Sequence, residues 1–72
     1  MNPFTQSYPV ITRWIKEHGW IELGRDEYSI SLVRALDPGG VVWESDPANN
    51  SLDDALSDLE SALEEWFVEN VE

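Results

Sequence analysis

Tyr28-Ser29-Ile30-Ser31-Leu32-Val33-Arg34-Ala35-Leu36-Asp37-Pro38-Gly39-Gly40-Val41-Val42-Trp43-Glu44 is the stretch that decides the fold. Large side chains at 28, 30, 32 and 36 alternate with small ones at 29, 31, 33 and 35, the period of two that a strand imposes. Asp37-Pro38-Gly39-Gly40 then supplies one fixed φ and two residues tolerant of positive φ, after which Val41 to Glu44 returns as a second strand. Folded symmetrically about the turn, this hairpin pairs Leu36 with Val41 and Arg34 with Trp43. Tyr28, Ile30, Leu32, Val41 and Trp43 then form the face expected to cover the core. Ser29, Ser31, Val33, Ala35 and Val42 are left as a small, partly apolar face open to a partner.

Toward the N-terminus, Trp20-Ile21-Glu22-Leu23 has the aromatic and β-branched character of a further short strand, closed by Gly24-Arg25-Asp26 as a turn. Before it, Pro9 suits a first helical position, and Val10, Ile11, Trp14, Ile15 and His18 make one stripe of a 3.6-residue period. The spacing predicts a helix from Pro9 to His18, with Gly19 as its left-handed terminator and residues 1–7 as a flexible lead-in. Toward the C-terminus, Ser45 to Asn50 is rich in turn formers. Ser51 and Asp54 have the spacing of a capping box. Leu52, Ala55, Leu56, Leu59, Ala62, Leu63, Trp66 and Phe67 form the apolar stripe of a second helix, expected over Leu52 to Glu69. The order is α-β-β-β-α, a single α+β domain over residues 1–72 in which a three-stranded antiparallel sheet carries two helices packed on one face.

A chain of 72 residues and 8.2 kDa has room for one small core, and its 42% of hydrophobic residues with four Trp sets it apart from disordered chains. Residues 1–43 carry five acids against four bases, whereas residues 44–72 carry ten acids and no base, so nearly all of the −11 net charge comes from the C-terminal part. Phosphate neutralisation and attraction to anionic lipid both need clustered Lys or Arg, so nucleic acid and membrane surfaces are not expected partners. A basic protein partner fits the field. Without cysteine there is neither a disulfide framework nor a thiolate metal site, and with no secretory leader or membrane span in view the expected compartment is the cytoplasm.

Catalytic constellations are not evident. His18 is the only His and has no close acid partner in the sequence, and no Gly-x-Ser-x-Gly turn occurs. The carboxylates fall on a helix face expected to be solvated, where burial does not tune them for acid-base work. Asp46-Pro47-Ala48-Asn49-Asn50-Ser51 lacks the oxygen donor and the Gly that a calcium loop needs at its third and sixth positions. The expectation is therefore a protein that is not an enzyme and takes no cofactor or metal. The candidate partner-binding residues are Trp20, which has the opposite parity to Ile21 and Leu23, with Val33, Ala35 and Val42 on the open sheet face. Asp53, Asp58, Glu60 and Glu64 join them from the solvated side of the last helix. The alternative expectation is a self-associating structural domain without catalytic activity, a homodimer through the open sheet face or the neighbouring strand edge.

The α-β-β-β-α order resembles the double-stranded-RNA-binding domain, but Leu52-Asp53-Asp54 stands where that family presents lysines, so no RNA function is implied. A resemblance in residues begins at Pro38-Gly39 and runs through Ser51-Leu52-Asp53-Asp54-Ala55-Leu56 and Ser61-Ala62-Leu63-Glu64-Glu65-Trp66. It is similar to the HicB-like antitoxin domain, with Asp53 and Asp54 in place of that family's acids. The resemblance implies neutralisation of a small basic RNA-cleaving toxin by protein contact, without that family's DNA-binding segment. Trp20 to Gly24, Asp26 to Ser29, Arg34 to Asp37 and Val42 to Glu44 also resemble a pattern of short acidic cyanobacterial proteins, which implies no activity.

Overall fold

The computed structural model describes residues 3–25 and 30–71. The elements are α1 (Pro3–Ser7), α2 (Pro9–Glu17), β1 (Trp20–Leu23), β2 (Val33–Asp37), β3 (Gly40–Glu44) and α3 (Leu52–Asn70). The three strands form one antiparallel sheet in the order β1-β2-β3, and α2 and α3 pack on one face of it, the expected α+β arrangement. Residues 1–7, expected as a flexible lead-in, are helical over Pro3–Ser7; the Tyr8 N–H donates to the Phe4 carbonyl, which carries the chain from α1 into α2.

Each helix starts for a local reason. Pro9 opens α2 without sacrificing an intrahelical N–H bond. At α3, the Ser51 hydroxyl accepts the Asp54 N–H at 3.2 Å, and the Ser51 N–H donates to Asn49 Oδ1 at 3.0 Å, so Asn49 supplies the return bond expected of a capping-box partner. Asp53 and Asp54 in the first turn complement the helix dipole. Gly19 has a different role from the one expected. Its φ is not positive; a Cβ there would lie 1.9 Å from the Leu36 carbonyl oxygen, so glycine is needed for close passage of the chain over β2.

The core consists of Ile11 and Trp14 from α2, Val33 and Ala35 from β2, and Ala55, Leu56, Leu59, Leu63 and Phe67 from α3. The phase of the sheet is thus the reverse of the expected one. Val33 and Ala35 are fully buried, Ser31 is buried and Val42 packs on the core, whereas Ile30 and Val41 are exposed. Leu32 and Trp43 do pack against the core; Tyr28 and Ser29 lie outside the described residues. Side-chain bulk accounts for the reversal, and a bulge accounts for the exception at Trp43. The helices bring the bulk, Trp14, Leu59 and Phe67, so the sheet meets them with its small side chains. A β-bulge also interrupts the hairpin. Leu36 pairs with Val41 as the symmetric fold required, but Ala35 pairs with Trp43 and Arg34 with Glu44, leaving Val42 as the extra residue. The bulge turns Trp43 inward while Val41 points away from the helices.

Candidate functional site

The face of the sheet away from the helices is built from alternate residues of all three strands. Trp20 is paired with Leu36, which is paired with Val41, so one row of apolar side chains crosses the sheet. Glu22 is paired with Arg34, which is paired with Glu44, so the next row is charged. Trp20 is 44% exposed and Val41 56%, with Leu36 half-buried between them.

The charged row is held in place by bonds. Arg34 Nε donates to Glu22 Oε1 at 3.3 Å, and its Nη1 donates to the carbonyls of Gly24 at 3.1 Å and Ser31 at 2.6 Å. Although it lies on the face away from the core, Arg34 is only 6% exposed, because these carbonyls enclose its guanidinium. A guanidinium presents five donors in a rigid fork, which suits it to several fixed acceptors at once. Glu22 in turn accepts the indole N–H of Trp20 at 3.3 Å, which ties the two rows together. The backbone under Trp20 is fixed from the other face, where Trp14 Nε1 donates to the Trp20 carbonyl at 3.3 Å. Nearby, Arg25 reaches from the end of β1 to the carbonyls of Ile30, Pro47 and Asn49 and joins the two loops at that end.

Of the sequence candidates on the sheet, only Trp20 presents itself on this face. Val33 and Ala35 are shielded beneath the helices, and Val42 is half-buried against the core, so these three do not form a docking surface. Leu36, Val41, Glu22 and Glu44 were missed in their place. The bulge conceals Glu44, whereas Glu22, Leu36 and Val41 were missed because alternation does not show which face of the sheet the helices cover.

On α3, Asp53, Asp58 and Glu64 are exposed, as expected. Glu60 is not a free surface acid: its Oε2 accepts the Val10 N–H and its Oε1 the Ile11 N–H, both at 2.9 Å. Glu64 lines a shallow depression with Ser61, Glu65, Val68 and Glu69, all contributed by one helix. Among the described residues no group of three His, Cys, Asp or Glu is arranged to hold a metal, and no helix is long and apolar enough to cross a membrane.

His18 is used in packing. Its ring stacks on Trp14 at 5.6 Å and meets Trp66 at 5.4 Å and Phe67 at 5.0 Å, while the Arg13 guanidinium sits 4.1 Å from the centre of the Phe67 ring. Edge-to-face rings and a cation over a ring face are mutually attractive arrangements. Against family models, curated proteins and solved structures, the chain has no match.

Proposed function

We propose that this chain is an acidic protein-binding module that works in the cytoplasm by contact rather than catalysis, with a basic protein as its partner. The Trp20–Leu36–Val41 row carries the reading. An exposed Trp at the edge of an apolar row, rimmed by Glu22 and Glu44, has the composition of an interface centre with a polar rim. The −11 charge favours a cationic partner and speeds its approach at low salt. A toxin-neutralising role of the kind implied by the HicB-like residues is one instance of this reading.

Self-association is the second reading, supported by the near symmetry of the row about Leu36, which lets a two-fold axis set Trp20 of one copy against Val41 of the other. Charge disfavours it, since both copies carry the same excess of acid. The test compares wild type with Trp20→Ser and Val41→Ser, each checked for folding by circular dichroism. A basic protein retained from the native host by wild type and released by both variants supports the proposal. Equal retention by all three places the contact elsewhere. Dimerisation of wild type alone in sedimentation at about 100 µM, with no retained protein, favours the second reading.

A further inference from the structure

The apolar and charged rows also constrain the shape of what covers them. Both run across the strands, and each strand offers this face one apolar side chain followed by one charged side chain. A strand laid along β1, β2 or β3 therefore meets a single apolar residue and then a charge. A strand added to either edge of the sheet leaves Leu36 uncovered. An element lying across the strands meets Trp20, Leu36 and Val41 in succession, at the inter-strand spacing of about 4.8 Å. An α-helix repeats its side chains about every 5.4 Å along one side, close enough to follow that row through two turns.

The charges set a second condition. Glu22 and Glu44 stand exposed at opposite ends of the neighbouring row, with Arg34 engaged between them. Glu22 already accepts one bond from Arg34 and one from Trp20, so a base there joins an existing network, whereas a base over Glu44 meets an exposed carboxylate. A helix seated on the apolar row places the flank beside its apolar stripe over that charged row. Lys or Arg about two turns apart on that flank would meet the two carboxylates, and a neutral residue between them would face Arg34.

We infer that the segment bound by this face is a basic amphipathic helix, laid across the strands with apolar residues at i, i+3 or i+4, and i+7 on the Trp20–Leu36–Val41 row and basic residues over Glu22 and Glu44. The inference rests on the proposed docking role and adds the chemistry and conformation of the docked segment. The covered surface is small, so the contact is weak and salt-dependent, with a dissociation constant on the order of micromolar.

The test is a fluorescence-anisotropy titration of the full chain with labelled synthetic peptides of about 15 residues, long enough for measurable helix content. One peptide, made of Leu, Lys and Ala, gathers its Leu on one stripe with Lys on the flank. A second has the same composition with Leu scattered around the helix, and a third alternates Leu and Lys to favour an extended strand. The striped peptide should bind best, and Trp20→Ser and Val41→Ser should each weaken it by about tenfold. Equal binding of the scattered peptide would reduce the contact to charge alone and overturn the inference, as would unchanged affinity in both variants. Preference for the alternating peptide, lost in the same variants, overturns the helical occupant and leaves the docking role standing. Failure of the docking role itself has a separate sign: a basic host protein held equally by wild type and variants.

Discussion

Glu60, in the middle of α3, caps the N-terminus of α2: both of its carboxylate oxygens accept backbone N–H groups, Oε2 from Val10 and Oε1 from Ile11, at 2.9 Å. Tyr8, the residue at the N-cap of α2, makes no side-chain capping bond, so the orphan donors of this helix are met from another element. The bond spans about fifty residues of sequence and fixes the position of α2 along α3. An expected solvent-facing acid is thus a tertiary clamp.

Replacing Glu60 with Ala should lower stability by about 1–2 kcal/mol, the scale of a lost helix cap. Glu60→Lys should cost more, because it sets a cation against the positive end of α2. Asp58→Lys, at an exposed position on the same helix, should change stability by no more than about 0.5 kcal/mol. Urea denaturation of the three variants checks the order. Equal midpoints for Glu60→Lys and Asp58→Lys would show that the clamp does not form in solution.

Gly19→Ala should destabilise by about 3 kcal/mol or more, since a methyl group 1.9 Å from the Leu36 carbonyl forces backbone to move. At Gly39 the nearest atom to an added Cβ is Oδ1 of the Asp37 side chain, at 3.2 Å, which can give way. Gly39→Ala should therefore cost less than about 1 kcal/mol. Thermal melts of the pair test whether close passage, rather than backbone angle, is what Gly19 provides.

The helix α1 was not legible in the sequence, since residues 1–7 read as a flexible lead-in, and β2 begins at Val33 although the alternation predicts strand through Ile30, Ser31 and Leu32 as well. By contrast, α2, α3 and the hairpin were legible, because each carries a local signal: Pro9 before α2, Ser51 before α3, and the Asp37 to Gly40 turn. Leu36 facing Val41 was legible for the same reason. The orientation of the sheet was not. Alternation shows that two faces differ without showing which one the helices cover, and here Trp14 and Leu59 supply the bulk that lets Val33 and Ala35 line the core. Trp43 was assigned to the correct face and Val41 to the wrong one, since a single bulged residue between them shifts the alternation. Glu60 was misassigned because its partners are backbone groups on a distant helix, and helical periodicity places it correctly on a polar side without revealing what meets it.

Val33→Glu and Val41→Glu separate the two sheet faces. Val33 is fully buried under the helices, so its replacement should cost several kcal/mol, a large part of the roughly 5–15 kcal/mol expected for a native domain. Val41 is 56% exposed, and the same change there should alter stability by about 0.5 kcal/mol or less while abolishing the proposed binding at the open face. A folded Val33→Glu beside an unfolded Val41→Glu would reverse the assignment of faces.

The charge on α3 is unevenly matched to its dipole. Asp53 and Asp54 lie in the first turn, where negative charge is favourable, whereas Glu69 lies near the C-terminal end and no basic residue is present in the last turn. Glu69→Lys should therefore stabilise the protein by about 0.5 kcal/mol and raise Tm by about 2–4 °C, through both the dipole and the reduction of a net charge of −11. Asp53→Lys reduces the net charge equally but loses a favourable dipole interaction, so it should fall below Glu69→Lys by about 0.5–1 kcal/mol. Both effects are screened at surface positions, so the gap between the variants should narrow as NaCl rises from low salt to about 0.3 M, while wild type itself gains stability. Melting curves of the three proteins across that range decide the matter. Equal stabilisation by both substitutions would mean that net charge alone governs, and a wild type that loses stability with salt would mean that its local ion pairs outweigh the repulsion.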